Sequence, residues 1–263
     1  MRSNLTMASL AILAAMMFAP SLATAESDGD KYVKSLQALV ESVVPPDYTS
    51  IQGVPSGGIS PRGYVSLGVA ITSEETDGGI GGLDGSMSTT VGLGELFGGI
   101  GTEITSNITS VDPNDFGDSG SFGVKFGAAI DTADQPINVG LSFDNFGRWG
   151  DSKTAKLLTT LAISSRATRY MEGGGAFSYA WTVGGKLLND NGGEESAFAG
   201  ISIGLTENLS LSTAHDTGTD DTKLGVGIKL FDSLSISVTA VDPFNTGEGQ
   251  GISVGLGVSA LVF

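Results

Sequence analysis

No cysteine occurs in the 263 residues, which excludes a small secreted fold stapled by disulfides, a thiolate-ligated metal and a cysteine nucleophile. Histidine is almost as scarce: His215 stands alone, so a zinc ion would have to be held largely by carboxylates. Bases are few as well. Thirteen Lys and Arg face 29 Asp and Glu, a net charge of −16, which argues against nucleic acid as a partner. Long apolar runs are also lacking, because beyond residue 25 no stretch reaches the roughly eighteen residues that a transmembrane helix needs. A mature chain embedded in a membrane is therefore a closed barrel, since lipid leaves no backbone polar group unpaired. Proline after residue 61 is confined to Pro113, Pro136 and Pro243, all at expected strand ends or loops, where no ladder hydrogen bond is lost.

The N-terminus reads as an export signal. Arg2 precedes an apolar run from Met7 to Ala19, and Ala23-Thr24-Ala25 offers a small-x-small cleavage site, so residues 1–25 are expected to be a cleaved signal peptide with Glu26 the first mature residue. Residues 26–61 form a segment of their own. Asp28 or Asp30 can cap a helix from Lys31 to Val44, ended by Pro45-Pro46, with Val33, Leu36, Val40 and Val43 along one stripe. Such a helix would plug a barrel, sit at its periplasmic mouth, pair with a copy of itself or pack on its own domain. Pro55, Gly57, Gly58 and Pro61 then mark an extended linker.

What is abundant is glycine, 40 residues, and from Arg62 onward a period of two. Val65, Leu67, Val69 and Ile71 alternate with Ser66, Gly68, Ala70 and Thr72. The final stretch places Ile252, Val254, Leu256 and Val258 against Ser253, Gly255, Gly257 and Ser259. Twelve such segments are expected, near 62–73, 86–94, 100–111, 121–130, 135–145, 156–165, 177–183, 197–203, 208–215, 224–230, 234–240 and 251–263, with ten or fourteen as the neighbouring counts. Within the stretch 156–173, Lys156–Ser165 reads as a short helix as readily as a strand. Segments of about 9–12 residues suit a tilted strand crossing a bilayer. Their second face carries Gly, Ser and Ala rather than the Lys, Glu and Gln of a solvated sandwich, so it is polar but confined, as a barrel lumen would be.

The final strand and its terminal aromatic, Phe263, with Gly257-x-x-Ala260-x-Val262 just before it, resemble the C-terminal signature of bacterial outer-membrane β-barrels, a porin-like class. The resemblance implies a fold, an all-β antiparallel up-and-down transmembrane barrel over residues 62–263, and two partners, outer-membrane lipid and the assembly machinery that reads the last strand. Links around 74–85, 112–119, 146–155, 189–195, 216–221 and 242–250 are expected to be long and those around 95–99, 132–135, 206–208 and 231–233 tight, with 166–174 an intermediate exception. In that class long loops are external and short turns periplasmic. The Gly78–Gly85 stretch reads as a mobile external loop.

Acid concentrates on the long side. Glu74, Glu75, Asp77, Asp115, Asp118, Glu194, Glu195, Asp220 and Asp221 form an acidic external rim that attracts divalent cations or cationic solutes, or simply a solvated acidic surface. Parity assigns Arg62, Glu103, Lys125, Asp131, Asp144, Lys156, Lys186 and Lys229 to the lumen, where charge tunes selectivity. The phrases beginning Val111-Asp112-Pro113 and Val241-Asp242-Pro243 lack the terminal Glu of a calcium loop and read as two similar turns. The expected function is passive diffusion with a weak cation preference, or a structural barrel, without cofactor or enzymatic activity. Two alternatives stand beside it: a barrel hydrolase using His215 with its neighbouring aspartates at the rim, and a secreted soluble β-sandwich or adhesin.

Overall fold

The computed structural model describes residues 51–263 except 77–78, 98, 110–115, 133–134, 171–175, 189–194, 207, 245–249 and 263. The expected signal peptide, the helix over 31–44 and the terminal Phe263 lie outside the described residues.

Period-two alternation becomes twelve antiparallel strands. They are β1 (Tyr64–Thr76), β2 (Gly79–Phe97), β3 (Ile100–Ile108), β4 (Gly120–Asp131), β5 (Pro136–Trp149), β6 (Leu158–Tyr170), β7 (Ala176–Leu188), β8 (Glu195–Thr206), β9 (Leu209–Asp216), β10 (Asp221–Phe231), β11 (Leu234–Val241) and β12 (Gly251–Leu261). Each pairs with its sequence neighbours, and β12 pairs with β1 from Tyr64↔Leu261 to Glu74↔Gly251, which closes the sheet into a barrel. Closure leaves no edge strand, and the ladder runs round the whole barrel, interrupted only by local register shifts.

The two faces of the wall differ as the alternation requires. Side chains of one parity point outward and remain uncovered: Ile71 is 48% exposed, Ile201 47% and Val254 47%, and the same outward row continues through Ile104, Leu141, Leu161 and Leu211. The other parity points inward and is small, with Ala162, Thr182, Ser202, Ser210 and Ala214 buried. An apolar exterior around a polar interior inverts the order of a water-soluble protein. It is the arrangement that lipid outside and water inside would select. Aromatics gather at both ends of the wall. At one end Phe122 packs on Phe146 and Trp149, with ring centroids 6.1 and 5.3 Å apart; at the other, Phe177 and Tyr179 lie 6.2 Å apart, and the exposed Phe231 ends β10. Paired belts of this kind mark membrane interfaces.

Three expectations change. The ambiguous stretch 156–173 is strand β6 as far as Tyr170, not helix, because its alternation lets it pair with β5 and β7 along its length. The expected external loop over 74–85 is mostly ladder: β1 and β2 remain paired to Thr76↔Gly79, past an irregularity at Ser73/Glu75. Glycine there is compatible with extended backbone as well as with a loop, and the composition did not separate the two. The long-and-short alternation of links therefore fails at the first hairpin. It holds from β3 onward, where 109–119, 150–157, 189–194 and 242–250 are longer than 132–135, 207–208 and 232–233. A 3-10 turn, Gly150–Thr154, opens the second of these long links.

The outward face makes a test. Val226 lies on β10 in the outward parity of Leu224 and Ile228, so Val226→Arg should destabilise the barrel in lipid by about 2–4 kcal/mol near the midplane, whereas Val226→Leu should be close to neutral. Urea midpoints in lipid vesicles measure both. Equal tolerance of Leu and Arg would place this face in water.

Candidate functional site

The lumen is the one enclosed polar space the wall defines, and the chain itself crosses it. Residues 51–61, expected as a linker, run around the inner wall from β10 to β2. Gln52 N–H approaches Ser212 Oγ at 3.4 Å on β9, and Lys223 Nζ on β10 donates to Gly53 O at 3.2 Å. Thr182 Oγ1 on β7 donates to Pro55 O at 2.9 Å, and Gly57 N–H donates to Ser164 Oγ on β6 at 2.9 Å. Ser60 donates to Glu103 Oε2 on β3 twice, from its backbone N–H at 3.0 Å and from its hydroxyl at 2.7 Å. Gly63 N–H then bonds Gly92 O, and β1 begins. We call residues 51–61 the strap.

Its seat consists of small residues aligned across the strands. Gly101 faces Gly127, Gly127 faces Gly140, and Gly140 faces Ala162; one step along, Ser164 faces Thr182, Thr182 faces Gly200, and Gly200 faces Ala214. The fit is close. A Cβ at Gly127 would stand 2.7 Å from Ile59 Cγ1, one at Gly101 2.8 Å from Ile59 Cγ2, and one at Gly140 2.9 Å from Gly57 O. Side chains at these positions would collide with the strap, so the glycine of the inner parity is spent on admitting it.

Two spaces remain. One, about 280 Å³, lies along β9–β12, β1 and β2, between the hydroxyls of Ser66, Ser86, Ser88, Ser210, Ser235 and Ser237, with Gln52 of the strap on its border and Lys229 its single charged group. The other, about 170 Å³, lies along β3–β6 against Pro55 and Ser56, and contains Glu103, Lys125 and Asp144.

The inner bases meet acids. Lys125 lies 3.9 Å from Glu103, Lys229 lies 2.6 Å from Asp232, and Lys186 bonds Asp216 while standing over the Phe198 ring at 5.7 Å. Asp144 Oδ2 accepts from Ser142 Oγ at 2.8 Å. Glu103, Lys125, Asp144, Lys186 and Lys229 thus face the interior. Lys156 does not: it precedes β6, which begins only at Leu158, and is exposed in a link where its carbonyl accepts from Asn145. Arg62 is exposed in the turn before β1, its backbone over Gly94 at the mouth rather than along the wall. Asp131 ends β4. Lys223 and Arg166, absent from the expected set, stand on the inner parity of β10 and β6. Each lies just beyond the expected strand limits, and extending the alternation by one or two residues finds them.

Of the rim residues, Asp118, Glu195 and Asp220 are exposed and Asp221 is half-buried, all at the long-link end. Glu74 and Glu75 continue β1, whereas Asp77, Asp115 and Glu194 lie outside the described residues. Among the described residues no group of three or more His, Asp and Glu is placed to hold a metal. His215 lies on the outward parity of β9, its Nδ1 3.2 Å from Thr222 Oγ1 and its Nε2 3.7 Å from Asp220. A hydroxyl, an imidazole and a carboxylate do meet there, but on the outer face of the wall and away from both cavities.

Closed ladder, uncovered apolar exterior and polar interior together define a β-barrel of the kind that spans a membrane. The sequence matches no family model, and comparison with curated proteins found no match. Among solved structures the chain is similar to the KdgM porin (12% identity, TM-score 0.47, covering 73% of this chain and 98% of that one) and to the NanC porin (7%, 0.48, 76% and 100%). It is also similar to the outer membrane protein Omp33 of Acinetobacter baumannii (10%, 0.44, 77% and 98%). These are likenesses of form at low identity, and function has to be read from the lumen's own residues.

The His215 constellation predicts a negative result. His215→Ala should leave esterase, lipase and peptidase assays of the purified protein unchanged, whereas loss of an activity by a factor on the order of a thousand, the scale of an essential general base, would contradict this placement.

Proposed function

We propose that this protein is a passive diffusion channel of a bacterial outer membrane, with its long links outside, its short turns in the periplasm and no catalytic role for His215. The observation that supports this most is the two-faced wall: apolar residues uncovered all round, and hydroxyl and glycine positions that, among the described residues, enclose a polar space. A barrel of eight strands is just filled by its own side chains, while sixteen or more leave a wide channel; twelve leave room for the strap and a narrow passage. Outer-membrane lipid would cover the exterior, and the assembly machinery would engage β12, the strand that completes closure.

Ion preference belongs to the rim. Inside, Lys125, Lys186 and Lys229 each have a carboxylate partner, and with Asp144, Lys223 and Arg166 on the same face the interior is of mixed sign rather than one. Outside, Asp118, Glu195 and Asp220 are exposed, and such a rim raises the local concentration of cations, divalent ones included. Exposed charges act over about a Debye length, roughly 10 Å at 0.1 M salt and 3 Å at 1 M, so the preference should be modest and fade with salt.

Reversal potentials in planar bilayers under a potassium chloride gradient test this. The wild type should favour potassium at low mean concentration, less so at high. A Glu194→Gln/Glu195→Gln/Asp220→Asn/Asp221→Asn variant should lose most of the preference. Anion selectivity at low salt would show that the inner lysines govern permeation, and absence of conductance would leave a structural barrel as the better reading.

A further inference from the structure

We propose that the strap is a fixed partition that sets the size limit of the pore, so that solutes cross only through the crescent along β9–β12, β1 and β2, and that the class admitted is small uncharged polar molecules. The inference rests on the channel reading above. Three observations carry it.

The first is the seat. The strap touches β3 to β10 in succession and is anchored by side chains spread over that whole arc: Lys223, Thr182, Ser164 and Glu103 each bond its backbone. A segment that merely threaded the lumen would have no need of glycine beneath Ile59 on two adjacent strands, where any Cβ would stand within 3 Å of that side chain. Bonds to a charged group such as Glu103 are among the stronger ones, and four anchors on one short extended segment favour a permanent position over an opening lid.

The second is the distribution of charge. Glu103 both holds Ser60 and pairs with Lys125, and these two share the smaller cavity with Asp144, behind Pro55 and Ser56. The strap thus separates them from the larger space, where Lys229, bound to Asp232, is the only charged lining group. The third is chemistry: Ser66, Ser86, Ser88, Ser210, Ser235 and Ser237 present hydroxyls that donate and accept. A solute passing there exchanges water for neutral hydrogen-bonding groups, without a charged ladder to bind an ion.

The chain's lack of cysteine permits a clean test on the full-length protein, by single-channel conductance in 1 M potassium chloride, where exposed charge is screened, and by liposome swelling with a graded series of polyols. Gly57 packs against the backbone of Asn138 and Ala162, so Gly57→Leu should unseat the strap, raise conductance at least about twofold, given the room a twelve-stranded wall encloses, and admit larger polyols. A Val54→Cys/Gly200→Cys disulfide, joining positions in close contact, should leave conductance at the wild-type value. Ser237→Trp, on the crescent, should lower it by at least about half by the same reasoning, whereas Ser142→Trp in the smaller cavity should not. Ser237→Trp and the disulfide decide the matter even when Gly57→Leu does not fold. A conducting wild type insensitive to Ser237→Trp, or one whose conductance falls when the strap is locked, overturns the partition alone; a folded wild type that conducts nothing overturns the channel reading, and the partition with it.

Discussion

Pairing of backbone polar groups is the constraint on which the rest of this structure depends. In hydrocarbon an unpaired N–H or C=O costs several kcal/mol, and a sheet can avoid that only by closing. Here closure falls on β1 and β12, whose eleven aligned pairs join the two ends of the ladder. Everything apolar can then face outward without penalty, so Val254, Leu256 and Val258 sit uncovered on the closing strand. In a water-soluble sheet the same surface would be an aggregation site.

Closure by twelve strands creates a second problem, an interior too wide for the wall's own side chains. This chain does not fill it with bulky residues. It uses glycine, serine and alanine on the inner parity and lays its own residues 51–61 over them, so that sequence features that look unrelated, a Gly-rich wall and a Pro- and Gly-rich leader, are two sides of one contact. The partners are specific: Thr182 with Pro55, Ser164 with Gly57, Glu103 with Ser60. Pro55 and Ser56 of the strap border the cavity that holds Glu103, Lys125 and Asp144, and Gln52 borders the hydroxyl-lined one.

Much of the barrel was legible because its signal is local. Period-two alternation gave each of the twelve strands, and the parity of Glu103, Lys125, Asp144, Lys186 and Lys229 placed them inside. Errors arose where the signal is not local. Glycine near residues 78–85 is compatible with loop or ladder, and the partner strand decided for ladder. Lys156 kept the right parity but stands before β6 begins, and Lys223 and Arg166 were missed because strand limits are set by pairing rather than by composition. The strap was least legible of all. Pro55, Gly57 and Pro61 do make an extended segment, but its docking depends on glycine at Gly101, Gly127 and Gly140, far along the chain and brought level only by the register. Inner-face glycine in several adjacent strands, more than a lumen open to water needs, was the available clue.

Every feature of the molecule described above depends on the wall being closed and surrounded by lipid. The most direct measurement is electrophoretic mobility of the protein extracted from separated cell membranes, with and without boiling. A closed barrel in the outer membrane should be recovered in that fraction, need detergent for extraction, and migrate faster unboiled than boiled, because the ladder resists the detergent until heated. Recovery in the soluble periplasmic fraction, with the same mobility before and after boiling, would contradict it.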